Sequence, residues 1–382
     1  MKIIINTSNL YVGGGLQVAL SFINELQYCN NENDYYIFMS QAIKNQINIE
    51  EYPSNLSFLL IENSPSKLTQ RHKIIRLLNK HESNINPDVV FTIFGPSYWK
   101  PNAIHLMGFA DGWLYNPDSI AYTRLSIYNR IKRKLLSEYK KYYLKRDANY
   151  FVLETEDAKK KFSDILNVNN NNIFVVGNTY SSIFNDKKYI DTNNKHFISL
   201  PEKKENEFRL MYIAHNHPNK NLIIINKLLP LLKNMNINIK FILTINSESY
   251  DIMFMDSSNI INIGPIDQKS CPSIYKQCDA IFTPTLLETF SAAYPEAMKM
   301  QKPILTSNYS FVRDICQDAA LYFDPLDPKD IVDKIKYLVQ DKNLQNRLIK
   351  KGNKRILEFE TAQSRAKKYI ELCRYIINKG NK

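Results

Sequence analysis

Two carboxylates frame a short turn in the stretch LLETFSAAYPEAM, which covers residues 286–298. Glu288 and Glu296 are eight positions apart. In one continuous helix their side chains would point roughly 80° apart, so they would not form a pair. Because proline is tolerated in the first turn of a helix, Pro295 favours a helix that begins near Ser291. This interpretation places Glu288 in the preceding loop and Glu296 in the helix, with the N–H groups of the turn directed outwards.

A glycine run near the N-terminus is a second candidate site. The strand pattern KIIIN is followed by SNLYVGGGLQ and then by the helical pattern VALSFINEL. The adjacent glycines Gly13, Gly14 and Gly15 permit positive φ and close approach of a ligand, and the start of the following helix favours an anion. The spacing is not GxGxxG, so a plain flexible turn stays open as the alternative to a binding loop.

The positive charge of the chain is concentrated in one segment. The formal net charge is +12, and residues 123–146 hold nine basic residues against one acid, Glu138, a local charge of +8. Apolar residues recur there at helical spacing, which predicts an amphipathic helix, docked by its apolar side and with a basic outer face: Tyr128, Ile131, Leu135, Tyr139 and Tyr142. The alternatives to a helix docked on its own domain are a helix attracted to an anionic membrane and a helix attracted to nucleic acid. No nucleic-acid motif is found, so membrane ranks above nucleic acid.

Length and composition predict a two-domain globular protein. The chain has 382 residues, a length greater than one hydrophobic core usually holds. Hydrophobic residues make up 44% of it, which is enough to fill two cores. Its five cysteines have no metal-site spacing, and no signal-like or membrane-spanning apolar stretch is found. We therefore expect a cytoplasmic protein without a metal site, whose membrane contact, if it has one, is peripheral.

Apolar strand patterns alternate with helical patterns along the whole chain, which predicts α/β architecture with two doubly wound parallel sheets. The polar stretch between the two series is the expected linker. The predicted domains are an N-terminal Rossmann-like domain at 1–185, a linker at 186–207, and a C-terminal Rossmann-like domain at 208–361. A last helix within 362–382 is expected to pack back across the junction.

The order of these motifs resembles a known family. A GGG turn, a KN-type loop, an E-x7-E motif and a DAALYFDP strand occur in the order found in retaining glycosyltransferases of the GT-B fold, the large family 4 group. The likeness covers nearly the whole chain. It implies two Rossmann-like domains that face each other across a cleft, a UDP- or GDP-linked sugar donor bound mainly by the second domain, and no metal or other cofactor.

The E-x7-E motif is the most specific match. Family members read like EGFGLPLLEAM, where this chain has ETFSAAYPEAM. The resemblance implies that Glu296 accepts hydrogen bonds from the donor ribose and that Glu288 contacts hydroxyls of the transferred sugar, since an ionised carboxylate is an acceptor for both. It also implies that backbone N–H groups of Phe290, Ser291 and Ala292 meet the sugar or the diphosphate.

Two further matches are less regular. In HNHPNKNL, Lys220 aligns with the family lysine that neutralises the diphosphate, but His215 stands where the family has arginine. In the first domain the family's His-Asp pair corresponds to Ala110 and Asp111, so Asp111 is the candidate near the reacting sugar and His105, in mid-strand, is the alternative. Asn178 matches a junction asparagine, for which we expect a structural role.

The resemblance implies a retaining hexosyl- or N-acetylhexosaminyltransferase. The expected acceptor is a lipid-linked glycan of bacterial surface polysaccharide synthesis, O-antigen or capsule, at the inner face of the cell membrane, where residues 123–146 would make peripheral contact. Two alternatives stay open. One is a GT-B-fold sugar-nucleotide 2-epimerase, and the other is a non-catalytic basic protein that binds membrane or nucleic acid.

Overall fold

The computed structural model describes residues 1–29, 32–233, 238–254 and 258–380. The strands are β1 (Lys2–Thr7), β2 (Asp34–Met39), β3 (Leu56–Leu60), β4 (Val89–Thr92), β5 (Ile104–Gly108), β6 (Tyr150–Leu153), β7 (Ile173–Val175), β8 (Glu207–Tyr212), β9 (Asn238–Leu243), β10 (Ile260–Asn262), β11 (Ala280–Thr283), β12 (Ile304–Ser307) and β13 (Ala320–Phe323).

The helices lie between and after these strands. They are α1 (Gly13–Leu26), α2 (Gln41–Lys44), α3 (Arg71–Ile85), α4 (Gly112–Tyr115), α5 (Ile127–Asp147), α6 (Glu156–Leu166), α7 (Ile225–Lys233), α8 (Ser247–Met253), α9 (Cys271–Gln277), α10 (Ala293–Lys299), α11 (Ser310–Cys316), α12 (Pro328–Gln340), α13 (Lys342–Arg355) and α14 (Ala362–Gly380). Short 3-10 turns connect several of them. The end of the helix predicted within residues 221–235 falls partly outside the described residues.

The chain divides into two compact units, each built on one sheet. The first unit comprises Met1–Pro117, Ile127–Asn178 and Glu360–Lys382, and the second comprises Asp118–Ser126 and Thr179–Phe359. The first has seven strands in the order β3-β2-β1-β4-β5-β6-β7, and the second has six in the order β10-β9-β8-β11-β12-β13. Every strand pair is parallel. The predicted α/β class with two doubly wound sheets is confirmed.

Continuous apolar strands explain why both sheets are buried. In β1 five successive residues from Ile3 to Thr7 are buried, as expected for a strand covered on both faces by helices. The second unit has the same pattern in β8, all of whose residues are buried. All five cysteines are buried and free. Among the described residues, no helix combines the length and the apolar character needed to cross a membrane.

Helix α14 packs on the first unit, next to α1. The ring of Tyr369 meets the ring of Phe22 edge-on at 5.5 Å, and Ile370, Cys373 and Ile376 enter the same core. Helix α14 therefore completes the core of the unit that contains the beginning of the chain.

A buried arginine links α14 to α1 and to the end of the second segment of this unit. Arg365 donates to the Oδ1 of Asn178 and, at 3.0 Å, to the Oγ of Ser21. Asn178 in turn donates to Glu154 Oε1 at 2.6 Å. Because the guanidinium and both of its partners are buried, the group holds together three parts of the chain that are distant in sequence.

The segment predicted as a linker is attached to the second unit. The backbone N–H of Ile198 donates to Ser273 Oγ at 3.1 Å, and that of Leu200 donates to Gln277 Oε1 at 2.9 Å. Both acceptors lie on α9, and Leu200 is buried in the core beside it. This polar stretch is thus held by defined contacts.

Two sequence interpretations need correction. The three glycines do not form a turn before the helix, because α1 begins at Gly13, which alone of the three has positive φ. In α5 the apolar face, predicted to dock, is mostly exposed, and the helix docks through its opposite side. Lys140 Nζ contacts Asp111 Oδ2 at 2.5 Å, and Leu144 is buried. The apolar periodicity distinguishes an apolar face of α5 from a polar one. The contacts in the structure show that the polar face is the one that packs on the first unit.

Candidate functional site

The second sheet changes direction between β8 and β11. From β8 the chain continues outwards through β9 and β10, and it returns to the other side of β8 with β11. In open parallel sheets, the crevice outside the carboxyl ends of two such strands is where ligands bind. The loops after β8 and β11 therefore define the candidate site of the second unit.

Hydrogen bonds join these two loops directly. The N–H of Leu286 donates to the carbonyl of Asn219 at 2.7 Å, and Asn219 Nδ2 donates to the carbonyl of Leu287 at 2.8 Å. Thr285 Oγ1 also donates to Asn219 O, at 3.1 Å. Asn219 thus fixes the position of the residue that follows it, Lys220, against the β11 loop.

Lys220 and Glu288 form an ion pair where the loops meet. The ammonium contacts Glu288 Oε1, and Thr285 Oγ1 lies 3.3 Å from the same oxygen, which is an alternative acceptor for its hydroxyl hydrogen. The Lys220 and Glu288 side chains are only 18% and 14% exposed, so the pair is shielded but reachable from one side. The structure therefore brings together a cation suited to phosphate and a carboxylate suited to sugar hydroxyls, 68 residues apart in sequence.

Glu296 lies in the first turn of α10, which begins at Ala293, two residues after the predicted start. Its Oε2 accepts a hydrogen bond from the Tyr275 hydroxyl at 3.0 Å. Burial raises the pKa of this carboxyl to about 7, against a smaller lowering effect of the Tyr275 hydrogen bond. Burial therefore favours the neutral form of Glu296 more than water does.

The remaining donor candidates lie on the same two loops. Phe290, Ser291 and Ala292 are half-buried in the segment before α10, and the Phe290 ring meets Phe359 edge-on at 6.4 Å. His215 is exposed in the loop after β8. The hydrogen bonds described above that join the two loops do not involve His215 or the N–H groups of Phe290, Ser291 and Ala292. The roles of these groups in ligand binding stay predictions.

The first unit has its own point of reversal, between β1 and β4. The segment that leads into the glycines at the start of α1 lies at this point, since Asn9 Nδ2 donates to the carbonyls of Phe94 and Pro96 at 2.7 and 3.0 Å. A Cβ on Gly14 would have no neighbour within 4 Å, whereas one on Gly15 would lie 3.3 Å from the Phe94 ring. Gly14 is therefore open to a ligand, and Gly15 is needed for packing.

Asp111 and His105 have different surroundings. Asp111 precedes α4, accepts from the Trp113 N–H at 3.0 Å and pairs with Lys140. His105 is buried in β5, with Nδ1 2.5 Å from the carbonyl of Asp147 and Nε2 2.8 Å from Thr92 Oγ1. Burial lowers the pKa of His105 to about 4, so the ring is neutral, with Nδ1 as donor and Nε2 as acceptor. With both nitrogens engaged inside the core, His105 is a structural histidine.

Three contributors to the second-unit site were not predicted as site residues. Thr285 supports Glu288, Tyr275 supports Glu296, and Asn219 links the loops. Asn219 and Thr285 adjoin predicted residues, so proximity in sequence could have indicated them. Tyr275 lies on another helix and has no local signal. Among the described residues, no three His, Cys, Asp or Glu side chains are grouped so that they could hold a metal ion.

Comparison with known proteins finds a family model that matches most of the second unit. Residues 193–355 match the model of the family described as glycosyl transferases group 1, a range that includes Lys220, Glu288 and Glu296. No curated protein sequence matches the chain.

Solved structures of GT-B glycosyltransferases share the fold over almost the whole chain. Sucrose-phosphate synthase from Thermosynechococcus elongatus is similar with a TM-score of 0.71 and 12% identity, over 99% of this chain and 100% of that one. HepE from Anabaena, solved with UDP and glucose, gives 0.70 and 11% over 98% and 100%. A glycosyltransferase from Rickettsia africae gives 0.68 and 12% over 98% of each chain.

Proposed function

We propose that this protein is a glycosyltransferase that binds a nucleotide-sugar donor on its second unit. The observation that supports this most is the Lys220–Glu288 pair at the reversal point of the second sheet, inside the segment that matches the glycosyl transferases group 1 model. An ammonium and a carboxylate held side by side suit a ligand that carries a phosphate next to a sugar hydroxyl.

Each candidate residue has a defined role in this proposal. Lys220 binds the donor diphosphate, Glu288 binds hydroxyls of the transferred hexose or N-acetylhexosamine, and Glu296 binds the ribose. N–H groups of Phe290, Ser291 and Ala292 face the diphosphate or the sugar, and His215 donates to phosphate when protonated. In the first unit, Gly14 gives the ligand access to the backbone, Gly15 beside it keeps its packing against Phe94, and Asp111 contacts the reacting sugar.

The proposed reaction proceeds with retention at the anomeric carbon. The acceptor hydroxyl attacks on the face that the diphosphate leaves, and a diphosphate oxygen takes the hydroxyl proton. Lys220 stabilises the charge of the departing group, so catalysis consists of positioning and electrostatics and needs no metal ion. Activity that persists in excess EDTA is the expected result.

The proposed acceptor is a glycan on a lipid carrier, as in the synthesis of bacterial O-antigen or capsule, at the inner face of the membrane. The charge of +8 on residues 123–146 supports this, because anionic lipids attract basic segments. HepE has been solved with UDP and with UDP-glucose, which supports a uridine-linked donor for this chain as well.

The first test is the thermal shift produced by UDP, GDP and ADP in turn. A nucleotide at 100 times its dissociation constant stabilises the native state by about 2.7 kcal/mol. We expect a shift with one nucleotide only. Lys220→Ala should weaken its binding at least about tenfold, since the phosphate charge loses its partner. Lys227→Ala, which removes an exposed lysine from α7, is the matched control and should bind normally.

Two results would contradict the proposal. No shift with any nucleotide would remove its basis in the second unit. Conversion of a nucleotide sugar to its 2-epimer in the absence of acceptor would identify an epimerase instead. Transfer to a glycan acceptor that is lost in Lys220→Ala and kept in Lys227→Ala would establish the activity.

A further inference from the structure

The apolar side chains of α5 face solvent. In a projection down the helix axis, successive residues are roughly 100° apart. Five of these apolar side chains fall within one arc of roughly 100° in that projection. Their exposed fractions are far above those of a docked helix face: Ile127 75%, Tyr128 72%, Ile131 55%, Leu135 67% and Tyr142 59%. A globular protein that is not bound to anything rarely concentrates so many large apolar side chains on one exposed strip.

The opposite side of α5 holds the helix on the first unit. The Arg133 guanidinium lies over the Trp113 ring at 4.1 Å, Lys140 pairs with Asp111 at 2.5 Å, and Leu144 is buried. On a helical projection these three residues are centred roughly 180° from the exposed apolar arc. The orientation is therefore fixed by specific contacts.

Aromatic contacts fix the C-terminal half of α5 in the same orientation. Arg71 of α3 donates to the Tyr143 hydroxyl at 2.6 Å, and its guanidinium lies over the rings of Tyr98 at 4.9 Å and Tyr143 at 5.0 Å. The Arg146 guanidinium also lies over the Tyr143 ring, at 4.4 Å. These contacts hold α5 in the orientation that leaves the apolar arc exposed.

Basic side chains flank the apolar arc. Lys134 follows one edge and Lys132 the other, and both are exposed. Within the arc project the exposed Lys145 and Glu138, and Glu138 is paired with Lys141 at 2.7 Å. A helix that lies in a membrane interface has this design, with an apolar strip directed at the acyl chains and lysines beside it at the headgroups. Each exposed lysine adds attraction to anionic lipid.

We propose that α5 docks this protein on an anionic lipid bilayer by shallow insertion of the arc formed by Ile127, Tyr128, Ile131, Leu135 and Tyr142. The membrane contact itself rests on the proposed function, and this proposal names the surface that makes the contact. The charge is complementary to anionic headgroups. A two-fold contact with a second copy would bring two basic flanks together, which is unfavourable. Nucleic acid would be held by charge at its phosphates and would leave the apolar arc without a partner.

The test is sedimentation of the full chain with vesicles of phosphatidylcholine, with and without about one-third phosphatidylglycerol. Binding is expected only with the anionic lipid and should weaken in about 0.5 M salt. Ile131→Ser with Leu135→Ser keeps the charge and should lower the partition coefficient at least about tenfold. Lys132→Gln with Lys134→Gln keeps the apolar strip and should lower it roughly 30-fold.

Leu357→Ser is the matched control, because Leu357 is 82% exposed but lies in the second unit. It should bind vesicles like the parent protein. A Leu135→Trp reporter should be quenched by lipids brominated in the acyl chain, which distinguishes insertion from adsorption by charge alone. All of these positions are exposed, so the variants should keep the melting temperature of the parent.

Several outcomes would overturn the proposal. These are no vesicle binding, equal binding of the double serine variant, an unquenched reporter, retention by duplex DNA in place of vesicles, or lipid-free dimers that the serine changes abolish. The nucleotide shift is measured on the same variants. Vesicle binding without any nucleotide shift would refute the transferase and keep the docking surface, and the reverse result would refute only the docking surface.

Discussion

In the candidate site the Lys220 ammonium is paired with the Glu288 carboxylate, so an anionic ligand would meet a cation that already has a partner. The diphosphate of a donor would have to compete with Glu288 for the ammonium, because both are anions that prefer the same cation. Under the proposed function, Glu288 would bind sugar hydroxyls and, at the same time, limit the affinity of the site for a nucleotide without sugar.

Glu288→Gln should separate these two effects. The amide keeps the shape of the side chain and removes the competing charge, so we expect UDP to bind about fivefold more tightly, the equivalent of about 1 kcal/mol for a partly exposed pair. Sugar transfer should fall at least about 100-fold. Calorimetric titration with UDP and a transfer assay measure both, and weaker UDP binding in the variant would contradict this account.

Glu296 should make stability depend on pH. Its folded pKa of about 7 exceeds the ordinary value of 4.5, so the folded state binds more protons than the unfolded state between these values. Stability from this group is therefore full below about 4.5 and is lost as the pH rises through 7, by on the order of 3 kcal/mol. The melting temperature of Glu296→Gln relative to the parent should increase from pH 5 to pH 8, and a constant difference would refute this.

The sequence left His105 and Asp111 as alternatives for the first unit. The structure shows that their surroundings differ, which the sequence could not indicate because a histidine in mid-strand is compatible with either an open or a closed side of the sheet. The hydrogen bonds to the Asp147 carbonyl and Thr92 occupy both nitrogens of His105. Such long-range partners leave no trace in the local sequence.

The elements themselves were largely predictable. Each strand of both sheets falls on an apolar run that the sequence identifies, since a parallel strand buried on both faces must be apolar throughout. The E-x7-E stretch also forms the predicted loop followed by a helix. Helix α5 was predicted to exist, but its buried side was not, because periodicity alone does not tell which face has partners.

Helix α14 should depend on its buried arginine. Arg365→Met removes a guanidinium whose partners, Asn178 and Ser21, would be left buried without their donor. We expect a loss of on the order of 3 kcal/mol in unfolding free energy. Arg374→Met, on the exposed side of the same helix, is the control and should change stability little. Urea denaturation of both variants measures this, and equal effects would contradict it.

At the scale of the molecule, sequence order and structural units do not coincide. The sequence predicted contiguous domains apart from a last helix that packs back across the junction, and the first unit is built from three separate segments. The Arg365–Asn178 hydrogen bond spans 187 residues. Composition marks polar stretches, but it carries no information about pairs that are so far apart.

Truncation before Ala362 should therefore damage the beginning of the chain more than its middle. Without α14, the apolar side of α1 around Phe22 loses its cover. We expect binding of a hydrophobic dye and rapid proteolysis within residues 1–178, with slower cleavage within 179–359. Peptide mapping by mass spectrometry gives the order of cleavage, and faster loss of the middle segment would contradict the expectation.

The position of α14 also has a consequence for synthesis. The ribosome produces the first part of this unit, then roughly 180 residues of the other unit, and only afterwards the helix that covers α1. At roughly 5–20 residues per second, the nascent chain exposes that surface for on the order of 10 to 40 seconds. The early segment is thus a natural client for chaperones, and a premature stop codon even in the last few turns would yield a chain that protein quality control can recognise.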